Sequence, residues 1–187
     1  MYVEAGIITR CKKYDKSAFV ELFKIYEKYL YKLCYSYVQN EQDALDIAQE
    51  VYIKVFNYIS GFDIKMPFHP WFRKIAVNTC LNFKRDCKYD SISLNAGSEE
   101  HKGLEETVAA QMDVETEVLN NELGQLIKEN IKYLKPKHRM VLVLRYYEGL
   151  SYEEISTVLN EPIGSVKTNI YRARNVLKEK LREGLTY

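Results

Sequence analysis

Phe19, Leu22, Phe23, Tyr26, Leu30, Leu33, Cys34 and Tyr37 recur at steps of three and four, the period of a helix with one buried stripe. They predict a long amphipathic helix from about Lys16 to Tyr37. Asn40, a good N-cap, opens a second helix that runs to about Ile59 and stops before Gly61, with Ala44, Ala48, Val51, Tyr52, Val55 and Ile59 inward. Pro67 and Pro70 break the chain and introduce a third helix, about Trp71 to Lys88. There Phe72, Ile75, Ala76 and Thr79 oppose polar Lys74, Asn78, Asn82 and Arg85. The three helices make one bundle. From Tyr89 to Val114 periodicity gives way to Ser, Asn, Gly, Glu and Asp, a composition that reads as a flexible linker. It resumes near Glu115 with Leu119, Leu123, Leu126, Ile127, Ile131 and Leu134, and Pro136 restarts a helix carrying Met140, Val141 and Leu144. No strand-like alternation competes. The expected fold is all-α, two small helical bundles at residues 1–88 and 115–187 joined by an acidic segment at 89–114.

The pattern is most informative between Leu150 and Arg182. Gly149 suits the end of one helix, and Ser151 with Glu154 three residues on forms a capping box for the next, Tyr152 to Leu159. Asn160, Glu161 and Pro162 make a turn, with Pro162 expected in the first turn of the following helix. In that helix Val166, Ile170, Ala173, Leu177 and Leu181 share one apolar stripe. The opposite face presents Lys167, Thr168, Tyr171, Arg172 and Asn175, cations and hydrogen-bonding groups able to meet phosphates and base edges. Helix, turn and cationic second helix follow in the order of a helix-turn-helix that enters a major groove.

Charge refines this picture. The chain of 187 residues has a formal net charge of only +1. The distribution is uneven: residues 1–90 carry 14 Lys/Arg against 11 Asp/Glu, residues 91–120 carry 1 against 7, and residues 121–187 carry 12 against 8. Two mildly basic blocks flank an acidic connector. Cys11, Cys34, Cys80 and Cys87 are far apart with no CxxC pair, which argues for reduced thiols and against zinc. No apolar run is long enough to span a membrane and the start lacks the order of a secretion signal, so a cytoplasmic protein is expected.

Three segments, DALDIAQEVYIKVF, PWFRKIAVNTCLNFKR and LKPKHRMVLVLRYYEGLSYEEISTVLNEPIGSVKTNIYRARNVLKEKL, resemble bacterial sigma factors of the extracytoplasmic-function class in order and spacing. The resemblance implies two helical domains, regions two and four, and a non-catalytic subunit without cofactor or metal. That subunit binds core RNA polymerase, directs it to promoter DNA and helps open the duplex; an anti-sigma factor is a further implied partner. Carried over by motif position, Asp43, Asp46, Gln49 and Glu50 lie on the helix that meets core polymerase. Asp43, Asp46 and Glu50 fall within a sector of about 60 degrees, an acidic ridge off the apolar stripe. The second segment implies minus-10 recognition and melting, with Asn78 at a base pocket, Trp71 at the upstream edge of the opening, and Arg73, Lys74, Lys84 and Arg85 along phosphates. Trp71 has an equal claim to the core. The third implies minus-35 recognition by Lys167, Thr168, Tyr171 and Arg172, with Ser165 and Arg174 on phosphates. Tyr171 departs from the smaller residue common in the family, and the stretch Asp63 to Pro70 has no clear counterpart.

Two rival readings use the same residues. A one-component regulator would sense a ligand with Lys16 to Lys88 and bind a palindromic operator as a dimer. A metal-dependent hydrolase would draw on Asp43, Asp46, Glu50 and His69, although the carboxylates lack a histidine at helical spacing, His101 falls in the connector and His138 is expected to face solvent.

Overall fold

The computed structural model describes residues 4–83 and 130–184, the side chains at 132 and 181–184 excepted. All regular structure among these residues is helical. Helix α1 spans Ala5–Lys12, α2 Lys16–Val38, α3 Glu41–Tyr58 and α4 Phe68–Asn82; α5 spans Pro136–Leu142, α6 Tyr152–Leu159 and α7 Ile163–Gly184. The sequence pattern does not predict α1, a short helix that packs on α2 through Ile8 and Cys11.

Local chemistry sets the boundaries. Asp15 caps α2 by accepting from the Ser17 and Ala18 N–H groups, and Asn40 caps α3 by accepting from Asp43 N. Gln39, left-handed at φ 55°, turns the chain between them. A 3₁₀ turn at Ile59–Gly61 ends α3. Helix α4 begins at Phe68 rather than Trp71, because Pro70 falls in its first turn, where a missing N–H costs nothing. It ends at Asn82 rather than Lys88, since Phe83 is extended. Expectations for Lys84, Arg85, Cys87, the connector at 89–114 with His101, and the helix from Glu115 through Leu119, Leu123, Leu126 and Ile127 lie outside the described residues.

The expected apolar stripes are buried. Leu22, Tyr26, Leu30, Leu33 and Cys34 of α2, Ala44, Ile47, Val51 and Val55 of α3, and Phe72, Ala76 and Cys80 of α4 are all inaccessible. Each large aliphatic side chain removed from water in this way contributes about 1.5–3 kcal/mol. The periodicity misses Ile47, which α3 needs to complete its inner face.

In the second half Ile131–Tyr133 forms a 3₁₀ turn, not a continuing α-helix, because Pro136 holds Lys135 extended and so ends helical conformation upstream. After α5 the chain widens into a π-helical turn, Val143–Tyr147, closed by the Glu148 N–H on the Val143 carbonyl at 3.1 Å. Gly149, at φ 68°, then redirects it into α6. The two halves pack on each other: α4 lies against α5 and α6, and α2 against the π turn.

Candidate nucleic-acid interface

Helices α6 and α7 form the helix-turn-helix. Ser151 Oγ accepts from the Glu154 N–H at 3.2 Å while Glu154 Oε2 accepts from the Ser151 N–H at 2.8 Å, the reciprocal capping box expected from sequence. Asn160 is left-handed at φ 52°, and Pro162 stands just before α7, its carbonyl accepting from Val166 N, not inside the first turn. Glu161 ties the turn to its surroundings, accepting from Lys137 Nζ at 2.7 Å and Asn169 Nδ2 at 3.4 Å. This clamp fixes α7 relative to α5 and the turn. Its residues carry no sequence signal beyond ordinary polar turn chemistry.

Val166, Ile170, Ala173 and Leu177 of α7 are buried against α5 and α6, while the Leu181 side chain lies outside the description. At 100 degrees per residue, Tyr171, Asn175, Thr168 and Arg172 fill a sector of about 100 degrees directly opposite that stripe. All four are exposed, Tyr171 to 66%. Lys167 and Arg174 flank them, and Ser165 is exposed near the helix start. Thr168 Oγ1 donates to the Gly164 carbonyl at 2.9 Å, which leaves its methyl and oxygen lone pairs available outward. Arg174 lies 5.7 Å above the Tyr146 ring, which orients a long cation otherwise free to sweep. His138 is half-buried near this face rather than solvent-facing, and burial, then Lys135 and Arg172, lower its pKa.

Helix α4 carries the other candidate surface. Trp71 is half-buried, 5.0 Å from the Phe62 ring and 5.3 Å from Phe68, so part of it packs on the core and part stays open to solvent. Lys74 and Asn78 are exposed. Arg73 is not presented to solvent beside them. Its side chain is only 14% exposed, and the guanidinium lies 3.2 Å from Glu148 Oε2 in the second half of the chain. Tyr29 donates to the same carboxylate oxygen at 2.9 Å, and Arg73 donates to His69 Nε2 at 2.9 Å. Burial, then Arg73, lower the His69 pKa to about 4, so its ring is neutral and accepts. Nothing in the local sequence pattern signals this network, because its members are far apart along the chain.

On α3, Asp46, Gln49 and Glu50 are exposed and Asp43 half-buried near the helix start. Asp46 accepts from Gln42 at 3.2 Å, and Glu50 pairs with Lys54 at 2.7 Å, which neutralises one end of the ridge. Among the described residues no three His, Cys, Asp or Glu side chains are placed to hold a metal ion. Nor is any described helix long and apolar enough to cross a membrane.

Comparison with known proteins decides the family. The profile of Sigma-70 region 2 matches residues 22–88, and that of Sigma-70, region 4, matches residues 125–177. The ECF RNA polymerase sigma factor SigW of Bacillus subtilis (strain 168) is 38% identical over 178 residues, 94% of this chain and 95% of SigW. The chain belongs to the extracytoplasmic-function sigma factors. As a sigma factor it directs promoter-specific transcription, within a family of non-catalytic initiation factors. The ECF RNA polymerase sigma-E factor of Escherichia coli (strain K12) is 31% identical over 181 residues, 94% of this sigma factor and 93% of sigma-E. The same fold occurs in CnrH, solved with the cytosolic domain of CnrY, at TM-score 0.61 and 20% identity, covering 96% of this chain and 97% of that one. It occurs again in the sigma factor RpoE of Bartonella quintana, solved with the anti-sigma factor NepR, at TM-score 0.57 and 20% identity, covering 88% and 96%.

Proposed function

We propose that this sigma factor reads the minus-35 element through α7 and the minus-10 element through α4, and meets core RNA polymerase through α3. The observation that carries the reading is the α7 face: six side chains, Ser165, Lys167, Thr168, Tyr171, Arg172 and Arg174, all exposed on a helix whose opposite stripe is buried. Arg172 and Lys167 suit guanine edges, Tyr171 suits a thymine methyl, and Ser165 and Arg174 suit flanking phosphates.

In the first bundle, residues 1–88, Trp71 offers a stacking surface at the edge of an opening and Asn78 an amide for an extruded base, with Lys74, Lys84 and Arg85 on phosphates. Unstacking costs a few kcal/mol per base, which such contacts offset. The ridge of Asp43, Asp46, Gln49 and Glu50 favours a basic protein surface over DNA, with its effect mainly on encounter rate and orientation. The connector at 89–114 lets region four, residues 115–187, reach a second promoter element. An anti-sigma factor is a further partner of this reading, as NepR is of RpoE.

Run-off transcription on genomic fragments, with core polymerase plus or minus the protein, tests the function; failure to redirect start sites overturns it. On a promoter found this way, Arg172→Ala loses about 1–3 kcal/mol at one base position and little at others. A uniform loss across DNA sequences reassigns Arg172 to phosphate contact.

A further inference from the structure

The structure assigns Lys12 a positioning role in promoter opening: from the end of α1 it fixes the backbone at Phe62, and through the Phe62 ring it sets the pose of Trp71. The inference rests on the placing of Trp71 at the edge of the minus-10 opening, and adds the group that holds the ring there.

The chain of contacts is short. Lys12 Nζ donates to the Phe62 carbonyl at 2.7 Å, joining residues 50 apart in sequence. Phe62 is the first extended residue after the 3₁₀ turn that ends α3, and its own N–H is held by the Ile59 carbonyl at 3.1 Å. Its ring lies edge-on to Phe68 at 5.4 Å and tilted against Trp71 at 5.0 Å, while Phe68 and Trp71 are 5.3 Å apart. The three rings close a triangle in which Phe62 and Phe68 are buried and Trp71 is half-buried. Phe68 and Trp71 both belong to α4, so Phe62 is the side of the triangle that comes from another element. Downstream of it the chain makes a tight turn, with the Met66 N–H on the Asp63 carbonyl at 3.0 Å and Ile64 and Met66 exposed. That turn gives Phe62 no cover, and Lys12 supplies the tether.

A lysine suits this place. Carbonyls that close a helical segment lack partners within it and carry the negative end of its dipole, so a cation is the favoured donor there. A charged donor also makes a stronger bond than a neutral one. Contacts between rings depend on orientation as well as area, so a shift of the Phe62 backbone changes how Trp71 sits. A stacking surface already held in its working pose spares the cost of ordering it when the base arrives. Lys13, the next residue along, is exposed and provides an internal contrast.

Trp71 is the sole tryptophan of the chain, so intrinsic fluorescence of the full-length protein reports this ring alone. Lys12→Met keeps the alkyl stem and removes the donor, Lys12→Arg restores a donor, and Phe62→Leu keeps the carbonyl but removes the ring; Lys13→Met is the control. K12M and F62L are expected to shift Trp71 emission to longer wavelength and to raise its quenching by acrylamide, K12R to return both toward wild type, and K13M to change neither. In holoenzyme on a promoter found by run-off, K12M should lower permanganate reactivity of the melted thymines roughly fivefold, the worth of one hydrogen bond, with affinity for core polymerase unchanged. Wild-type emission and quenching in both K12M and F62L overturn the proposal, as does a loss of opening that merely follows a loss of core affinity. Shifted emission with normal opening by K12M, where Trp71→Ala is impaired, overturns the positioning role alone. Normal opening by W71A holoenzyme overturns the placing of Trp71 in melting, and the proposal with it.

Discussion

His69 accepts from the Arg73 guanidinium through Nε2, which leaves its own proton on Nδ1, a buried nitrogen with no hydrogen-bond partner. A second proton would place a cation beside Arg73 in the seam. The folded pKa of about 4 lies below the ordinary value of 6.5, so the unfolded chain takes up the proton first. Stability is therefore lost as pH falls from about 6.5 toward 4. Glu148, Tyr29 and Arg73 face the same group, and the raised pKa of Glu148 works in the opposite direction on acidification. Comparison with His69→Gln isolates the histidine, since the other groups are common to both proteins. Thermal melts across this range should show the wild type losing ground to H69Q as pH drops; a constant difference between the two would rule out a depressed His69.

Elements here owe their ends to a few backbone decisions. Gly149 sits at φ 68° with open space where a side chain would go, so Gly149→Ala meets no clash and pays only for the left-handed conformation, about 1–2 kcal/mol. Gly6 lies inside α1, also in open space, and Gly6→Ala should instead stabilise by about 0.5–1 kcal/mol. Urea denaturation of the two variants should give opposite signs; destabilisation by both would point to a shared packing effect. Much at this scale was legible in advance. The α6 capping box, the span Tyr152–Leu159 and the buried stripe of α7 follow from local rules that few tertiary contacts can override. What escaped depended on context: α1 is too short and too mixed to announce itself, Pro70 could equally begin or follow a first turn, and no periodicity rule anticipates the π turn.

For the molecule as a whole, the sequence pattern indicated two bundles but not that they close on each other, because periodicity within one helix does not say which distant helix covers it; besides the apolar packing of α4 on α5 and α6, the Arg73–Glu148 pair is one polar contact across the seam. Arg139 is the second such link. It is 8% exposed, lies over the Tyr37 ring at 5.4 Å, and donates to the Tyr37 carbonyl at 3.1 Å and the Leu134 carbonyl at 3.2 Å. The final turn of α2 and the entrance to α5 therefore share one guanidinium. Arg139→Lys keeps the charge but cannot span both acceptors, and should cost about 2 kcal/mol. Amide exchange should quicken at Tyr37 and Leu134 together, whereas quickening at one alone would mean the bundles are not coupled here.

The wide turn at Val143–Tyr147 admits one residue more than a regular α-helical path would hold. Deleting a single residue there would turn Glu148, α6 and α7 together by about 100 degrees relative to α5, and so would take the buried stripe of α7 off the helix it packs against. The length of the wide turn is thereby set by the packing on either side of it, and the recognition helix keeps its place only while that extra residue is kept.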